Sequence, residues 1–136
     1  MRKLNFAPLL GLLIALLLLA GCSHDPSDKV IRDQISAQLL DNKRDQIYEV
    51  KNFTKTNGWS EGDYYVVQVE YDLLYKTDLS GAMHILQGED GSMFGGGLSA
   101  LALGMAYGDF KAGDIHHVTE EYSFIKTEKG WRLKQK

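Results

Sequence analysis

Tyr64-Tyr65-Val66-Val67-Gln68-Val69-Glu70-Tyr71-Asp72-Leu73-Leu74-Tyr75-Lys76 decides the fold. Tyr65, Val67, Val69, Tyr71, Leu73 and Tyr75 take every second position, and Gln68, Glu70, Asp72 and Lys76 fall between them. Successive side chains of a strand point to opposite faces, so the first set makes one continuous apolar and aromatic face. The other face turns polar midway. This pattern predicts a long, central strand with one face covered and the other open.

Upstream, Gln46 to Thr56 is rich in strand formers, and Asn57-Gly58 opens a turn region running through Ser60-Glu61-Gly62-Asp63. Further upstream, Ile31, Ile35 and Leu39 recur every fourth residue, flanked by Val30 and Leu40. That spacing predicts an amphipathic helix from Pro26 to Leu40, with Asp25 as its cap, Pro26 at its first position and Asp41-Asn42 ending it.

Downstream, Asp78 to Gln87 leaves helix and strand open; Met83, Ile85 and Leu86 would extend a strand. Residues 88–113 form an insertion in which Gly95-Gly96-Gly97 lead into Leu98 to Gly108, small, apolar and uncharged. A glycine turn followed by a helix of about ten residues fits this composition, and that length is too short to span a bilayer. Asp114 to Thr127 returns to strand chemistry, Glu128-Lys129-Gly130 makes a tight turn, and Trp131 and Leu133 share one side of a last short strand.

The expected fold class is α+β: one N-terminal amphipathic helix packed on a curved antiparallel sheet of about four strands, with a glycine-rich, partly helical insertion. With the closing segment Tyr122 to Leu133, this element order resembles the cystatin-like and nuclear-transport-factor-like α+β rolls found among small bacterial lipoproteins. The resemblance implies a domain type that hosts enzymes and binding modules alike, so it does not supply a function.

A second resemblance lies at the N-terminus. Arg2 and Lys3 precede an almost wholly aliphatic run from Leu9 to Leu19, followed by Leu19-Ala20-Gly21-Cys22. A basic head, an apolar stretch and small residues before a cleavage point are the order of a secretory signal. Here they resemble the bacterial lipoprotein signal with its lipobox. The resemblance implies residues 1–21 as signal peptide, Cys22 as the lipidated residue, 22–27 as a tether, and 28–136 as a single domain. Ser23 after the cysteine resembles a release signal toward the outer membrane, with the domain facing the periplasm. Two other readings stay open: the apolar run kept as a membrane helix, or an ordinary cleaved signal with Cys22 incidental.

Cys22 is the only cysteine, so lipidation would consume the thiol and leave none for a disulfide, a zinc site or a nucleophile. Removing Arg2 and Lys3 takes the formal charge from −3 to −5. An acidic domain is a poor nucleic-acid binder, since phosphate neutralisation needs clustered cations. The basic cluster Lys126, Lys129, Arg132, Lys134 and Lys136 fits the solvated face of an edge hairpin; a contact with anionic lipid head groups or with a partner is the weaker reading. Glu89 and Asp90 flank the glycine segment, which lacks both the phosphate-loop ending and the dinucleotide spacing, so no nucleotide is expected.

His116 and His117 are neighbours on a strand and should diverge, so no metal pair is expected; a site assembled from Asp114, His116 and His84 is the alternative. Glu70 and Asp72 share a polar face, and Glu120 shares a face with His116, read as solvated charges rather than an acid–base pair. No nucleophile elbow and no zinc-protease helix is present. These features point away from an enzyme and from any cofactor.

The first expectation is therefore an envelope lipoprotein acting as a non-enzymatic interaction or assembly module. It would be held to the bilayer through acylated Cys22 and would meet another envelope protein or a second copy of itself through Met93, Phe94, Leu98, Leu101, Met105 and Tyr107. The alternative is a carrier or sensor holding a small apolar ligand on the sheet face built from Tyr65, Val67, Val69, Tyr71, Val118 and Phe124. The third is a small enzyme using Asp72, Asp114 or His116.

Overall fold

The computed structural model describes residues 25–87 and 98–135. The chain is α+β, with a four-stranded antiparallel sheet in the order β1-β2-β3-β4. Helix α1 (Asp28–Leu39) precedes a single 3₁₀ turn (Arg44–Gln46), strand β1 (Tyr48–Glu61) and strand β2 (Tyr64–Tyr75). Helices α2 (Leu79–Gln87) and α3 (Leu98–Tyr107) form an excursion before strands β3 (Ile115–Thr127) and β4 (Gly130–Leu133). Residues 1–24, with the signal and Cys22, and 88–97, with the glycine turn, Met93 and Phe94, lie outside the described residues.

Helix α1 starts two residues later than its sequence suggests. Ser27, not Asp25, is the cap: its Oγ accepts from the Val30 N–H at 3.3 Å, and Pro26 lies buried just before the helix. Ser27 wins because its hydroxyl reaches a backbone N–H of the first turn, which needs an acceptor. Ile31 and Ile35 are fully buried. At the far end the Tyr48 hydroxyl donates to the Leu39 carbonyl at 2.7 Å.

Strand β1 runs past the expected turn at Asn57-Gly58 and ends at Glu61, opposite Tyr64. The hairpin closes instead on Gly62-Asp63, where Gly62 has φ +59, the sign that two-residue hairpins favour. Gly58 is inside the strand for another reason. A Cβ there would meet Tyr65 Oη at 2.6 Å and Lys55 Cε at 2.9 Å, so glycine admits the Tyr65 ring. The β1–β2 register shifts twice, between Lys51 and Thr54 and between Lys55 and Asn57. Asn52, beside the first shift, takes left-handed φ 52.

Strand β2 lies between β1 and β3, and its odd-numbered face is the core: Val67, Val69 and Leu73 are fully buried, and Tyr65, Tyr71 and Tyr75 nearly so. Phe124 and Tyr122 of β3 extend this face, and Trp131 and Leu133 of β4 pack against it half-buried.

Within Asp78 to Gln87, Leu79–Gln87 is a helix, not a strand extension. The Asp78 side chain accepts from the Gly81 N–H at 2.7 Å, and Leu79, Ala82, Ile85 and Leu86, at helical spacing, turn toward the core. The excursion is tied at its base: Leu79 N–H donates to Phe110 O, Tyr75 N–H to Asp114 O and Gly113 N–H to Tyr75 O. Gly104 of α3 sits against the Leu79 side chain, and Gly108 closes α3 at φ +70.

Candidate functional site

Three constellations of chemistry-bearing residues emerge from this framework. The first is the excursion. Helix α3 carries no charged residue, and its Met105 is 79% exposed. Of the residues expected to make contacts there, Met93 and Phe94 lie outside the described residues. Leu98 and Leu101 belong to α3 by backbone position, with side chains outside those described. Tyr107 is not on the open side: it packs against the core, and its ring meets His116 edge-on at 4.9 Å. Among the described residues, no helix is long and apolar enough to cross a membrane.

The second constellation stands on the open face of the sheet. Asp72 and His117 are direct cross-strand partners, and His117 Nδ1 lies 2.8 Å from Asp72 Oδ1. The Asn52 amide donates to Asp72 Oδ2 at 2.7 Å from across β1. The left-handed turn at Asn52 belongs to the bulge that carries this residue beside Asp72, which the sequence alone did not reveal. The Asn52 amide, followed by the His117 ring, holds the Asp72 carboxyl below the usual carboxylate range. An aspartate that orients an imidazole is half of a general-base arrangement. His117 is largely exposed, so water is not excluded as such chemistry requires.

The third constellation lies on the core face. The Tyr71 and Tyr122 hydroxyls both donate to Glu120 Oε2, at 3.1 and 2.6 Å, and stand 3.3 Å apart. Phe53 stacks on the Tyr71 ring. Burial raises the pKa of Tyr71 and of Tyr122, and the Glu120 contacts push both the same way, because a second negative charge beside the carboxylate is disfavoured. Glu120 is thus an acceptor for two buried hydroxyls rather than a fully solvated charge. Neighbouring Tyr75 stacks on Phe110 at 4.0 Å, with its own hydroxyl buried and without a hydrogen-bond partner among the described residues.

His116 and His117 diverge as their strand positions require, one toward Tyr107 and the other toward Asp72. Asp114 is taken up locally, its Oδ2 accepting from the Lys111 N–H. Among the described residues no group of three His, Cys, Asp or Glu could hold a metal ion, so Asp114, His116 and His84 do not assemble. The face expected to cradle a ligand is packed: Val67, Val69 and Phe124 are fully buried. A shallow depression of about 190 Å³ beside α1 is lined by Asp28, Arg32, Phe53, Thr54 and Lys55, with Lys55 and Asp28 ion-paired across it. No protein-family model, curated protein or solved structure matches this chain.

Proposed function

We propose that this chain is a lipid-anchored protein of the bacterial cell envelope that works as a non-enzymatic docking module, with α3 as the element it presents to another envelope protein. The observation that carries the reading is Met105, most of its surface in water on a helix without a single charge. Exposed apolar surface of this kind marks an interaction site. A helix that rests on a membrane surface carries Lys and Arg on its polar face, and α3 has none, which favours a protein groove over lipid. The base of the excursion is bonded to β2, so α3 is held in place by the sheet.

The anchor rests on Leu19-Ala20-Gly21-Cys22 and the aliphatic run before it. Cys22 stands five positions before the cap Ser27, so a lipid there keeps the start of α1 within about 18 Å of the bilayer at full chain extension. We read the sheet as curving around α1 in the manner of cystatin-like rolls; the two register shifts in β1 support this, because bulges bend a strand. The packed core face counts against the carrier reading.

The test is a photo-crosslinking residue placed at Met105 in the full chain in native membranes. A discrete protein adduct, missing when the same probe replaces Lys129 on the β3–β4 turn, is the expected result. Adducts to lipid alone, or the same adducts from both positions, would overturn docking through α3. Cys22→Ser should release the chain from the membrane; full retention removes the anchor.

A further inference from the structure

We infer that the free edge of β3 pairs antiparallel with the same edge of a second copy, about a two-fold axis at Thr119. Strand β4 covers only the far end of β3, pairing with Phe124 to Thr127, and the last bond beyond it runs from Lys134 N–H to Ser123 O. Where this pairing stops, Glu121, Ser123, Lys134 and Gln135 border an open depression of about 210 Å³. From Ile115 to Glu121 no described strand lies on that side.

Backbone direction follows from the bonds at each end. Ser123 O faces β4, and Asp114 O accepts from Tyr75 of β2. Residues alternate in the edge to which their N–H and C=O point. Ile115, His117, Thr119 and Glu121 therefore point their backbone groups outward, and all four are exposed. An unpaired row of this kind is a template for another strand, and proteins usually blunt it with proline, lysine or a bulge. The opposite edge, β1, has two register shifts and carries Lys51 and Lys55. The β3 stretch from 115 to 121 has none of these devices.

The occupant is a second copy because the row is complementary to itself when reversed. Pairing about Thr119 sets Thr119 against its own equivalent and His117 against Glu121 of the other molecule, twice over. Thr–Thr is among the favourable cross-strand pairs, and His117 against Glu121 sets no like charges opposite each other. Asp72 already fixes the His117 ring on this face, so the ring is oriented before the second molecule arrives. The result is a continuous sheet through both molecules. It uses a different surface from α3, and it stands or falls apart from the docking reading.

The test uses the full chain in membranes. Facing backbone-bonded residues have Cα atoms about 5.5 Å apart, inside the disulfide range, so Thr119→Cys should give a reducible dimer under mild oxidation. The unsubstituted chain and Lys129→Cys should give none. In detergent, native mass spectrometry should read two chains for the unsubstituted protein and one for Thr119→Pro, which removes an outward N–H that β2 does not use. Thr119→Lys, which sets two like charges opposite each other across the axis, should also read one chain and covers the case in which the proline variant fails to fold. A monomer throughout, equal trapping at 119 and 129, or Thr119→Cys trapped on a different protein or an added peptide strand would overturn the self-pairing.

Discussion

The side-chain amide of Gln34 in α1 takes the place of a neighbouring strand for Leu133: its Oε1 accepts from the Leu133 N–H at 2.7 Å, while its Nε2 donates to the Trp131 carbonyl at 2.8 Å. Strand β4 is four residues long and has β3 on one side only. A half-buried backbone N–H and C=O on its other side would otherwise lack partners, and unmet polar groups are costly once buried. One glutamine thereby joins the first helix to the last strand.

Gln34→Ala should destabilise the fold by about 1–3 kcal/mol, the cost of stranding part-buried polar groups. Gln34→Glu keeps the acceptor for Leu133 and loses the donor for Trp131, so its cost should also be clear. Thermal unfolding checks both. An unchanged midpoint for Gln34→Ala would show β4 is held without the helix.

The Asn52–Asp72–His117 group makes stability depend on acid. The carboxyl of Asp72 is held below its ordinary range by the Asn52 amide first and the His117 ring second. A depressed carboxyl contributes stability that is present above its unfolded pKa of about 3.9 and lost as pH falls through the folded value. Asn52→Gly keeps the left-handed backbone and removes the amide. It should lower the urea midpoint at pH 7, with a smaller deficit at pH 3. A deficit independent of pH would assign the loss to the backbone instead.

The buried tyrosines set an alkaline limit. Burial raises Tyr48 to about 12, and Tyr71 and Tyr122 are raised as well. A phenol with a raised pKa contributes stability that is present below its unfolded value, about 10, and lost as pH rises toward the folded one. Ultraviolet titration should show these rings ionising only as the protein unfolds. Tyr71→Phe should remove one of them and weaken the pH dependence above 10. A smooth titration of every tyrosine near pH 10 in the folded state would contradict the packing.

Phe110 is the plug of the excursion. It is almost fully buried, stacks on Tyr75 and accepts from the Leu79 N–H through its carbonyl. Phe110→Ala should cost about 3–5 kcal/mol, in the range of large-to-small core changes. Hydrogen exchange should speed up most across residues 79–110, while the amides of β2 opposite β1 slow-exchange as before relative to the rest. Uniform acceleration would mean that the excursion and the sheet open as one unit.

Gly58→Ala separates a strand glycine from a turn glycine. A Cβ there collides with the buried Tyr65 side chain, so the variant should lose about 1–3 kcal/mol, the scale of overpacking. Gly62→Ala has open space around it and pays only for its positive φ, roughly 1 kcal/mol. Equal costs at the two positions would argue against the Tyr65 contact. Denaturant midpoints of the two variants decide it.

Local sequence determined the α+β class: periodicity gave the central place of Tyr64–Tyr75 and its buried row from Tyr65 to Tyr75, composition the short helix after the glycines, and the Glu128-Lys129-Gly130 turn the final hairpin. These are local consequences of one face meeting a core, and a residue's neighbours in sequence carry that information. What the tertiary structure decided were the choices that local signals leave balanced. Asn57-Gly58 reads as a turn until the Tyr65 ring is seen to need its space. Residues 78–87 become a helix because Asp78 caps them and their apolar side reaches the core. The partners Asn52–Asp72–His117, Tyr71–Glu120–Tyr122 and Gln34–Leu133 come from elements far apart in sequence, set by strand register and by the meeting of Gln34 with β4. Register is a property of the paired strands together, and no single strand carries it.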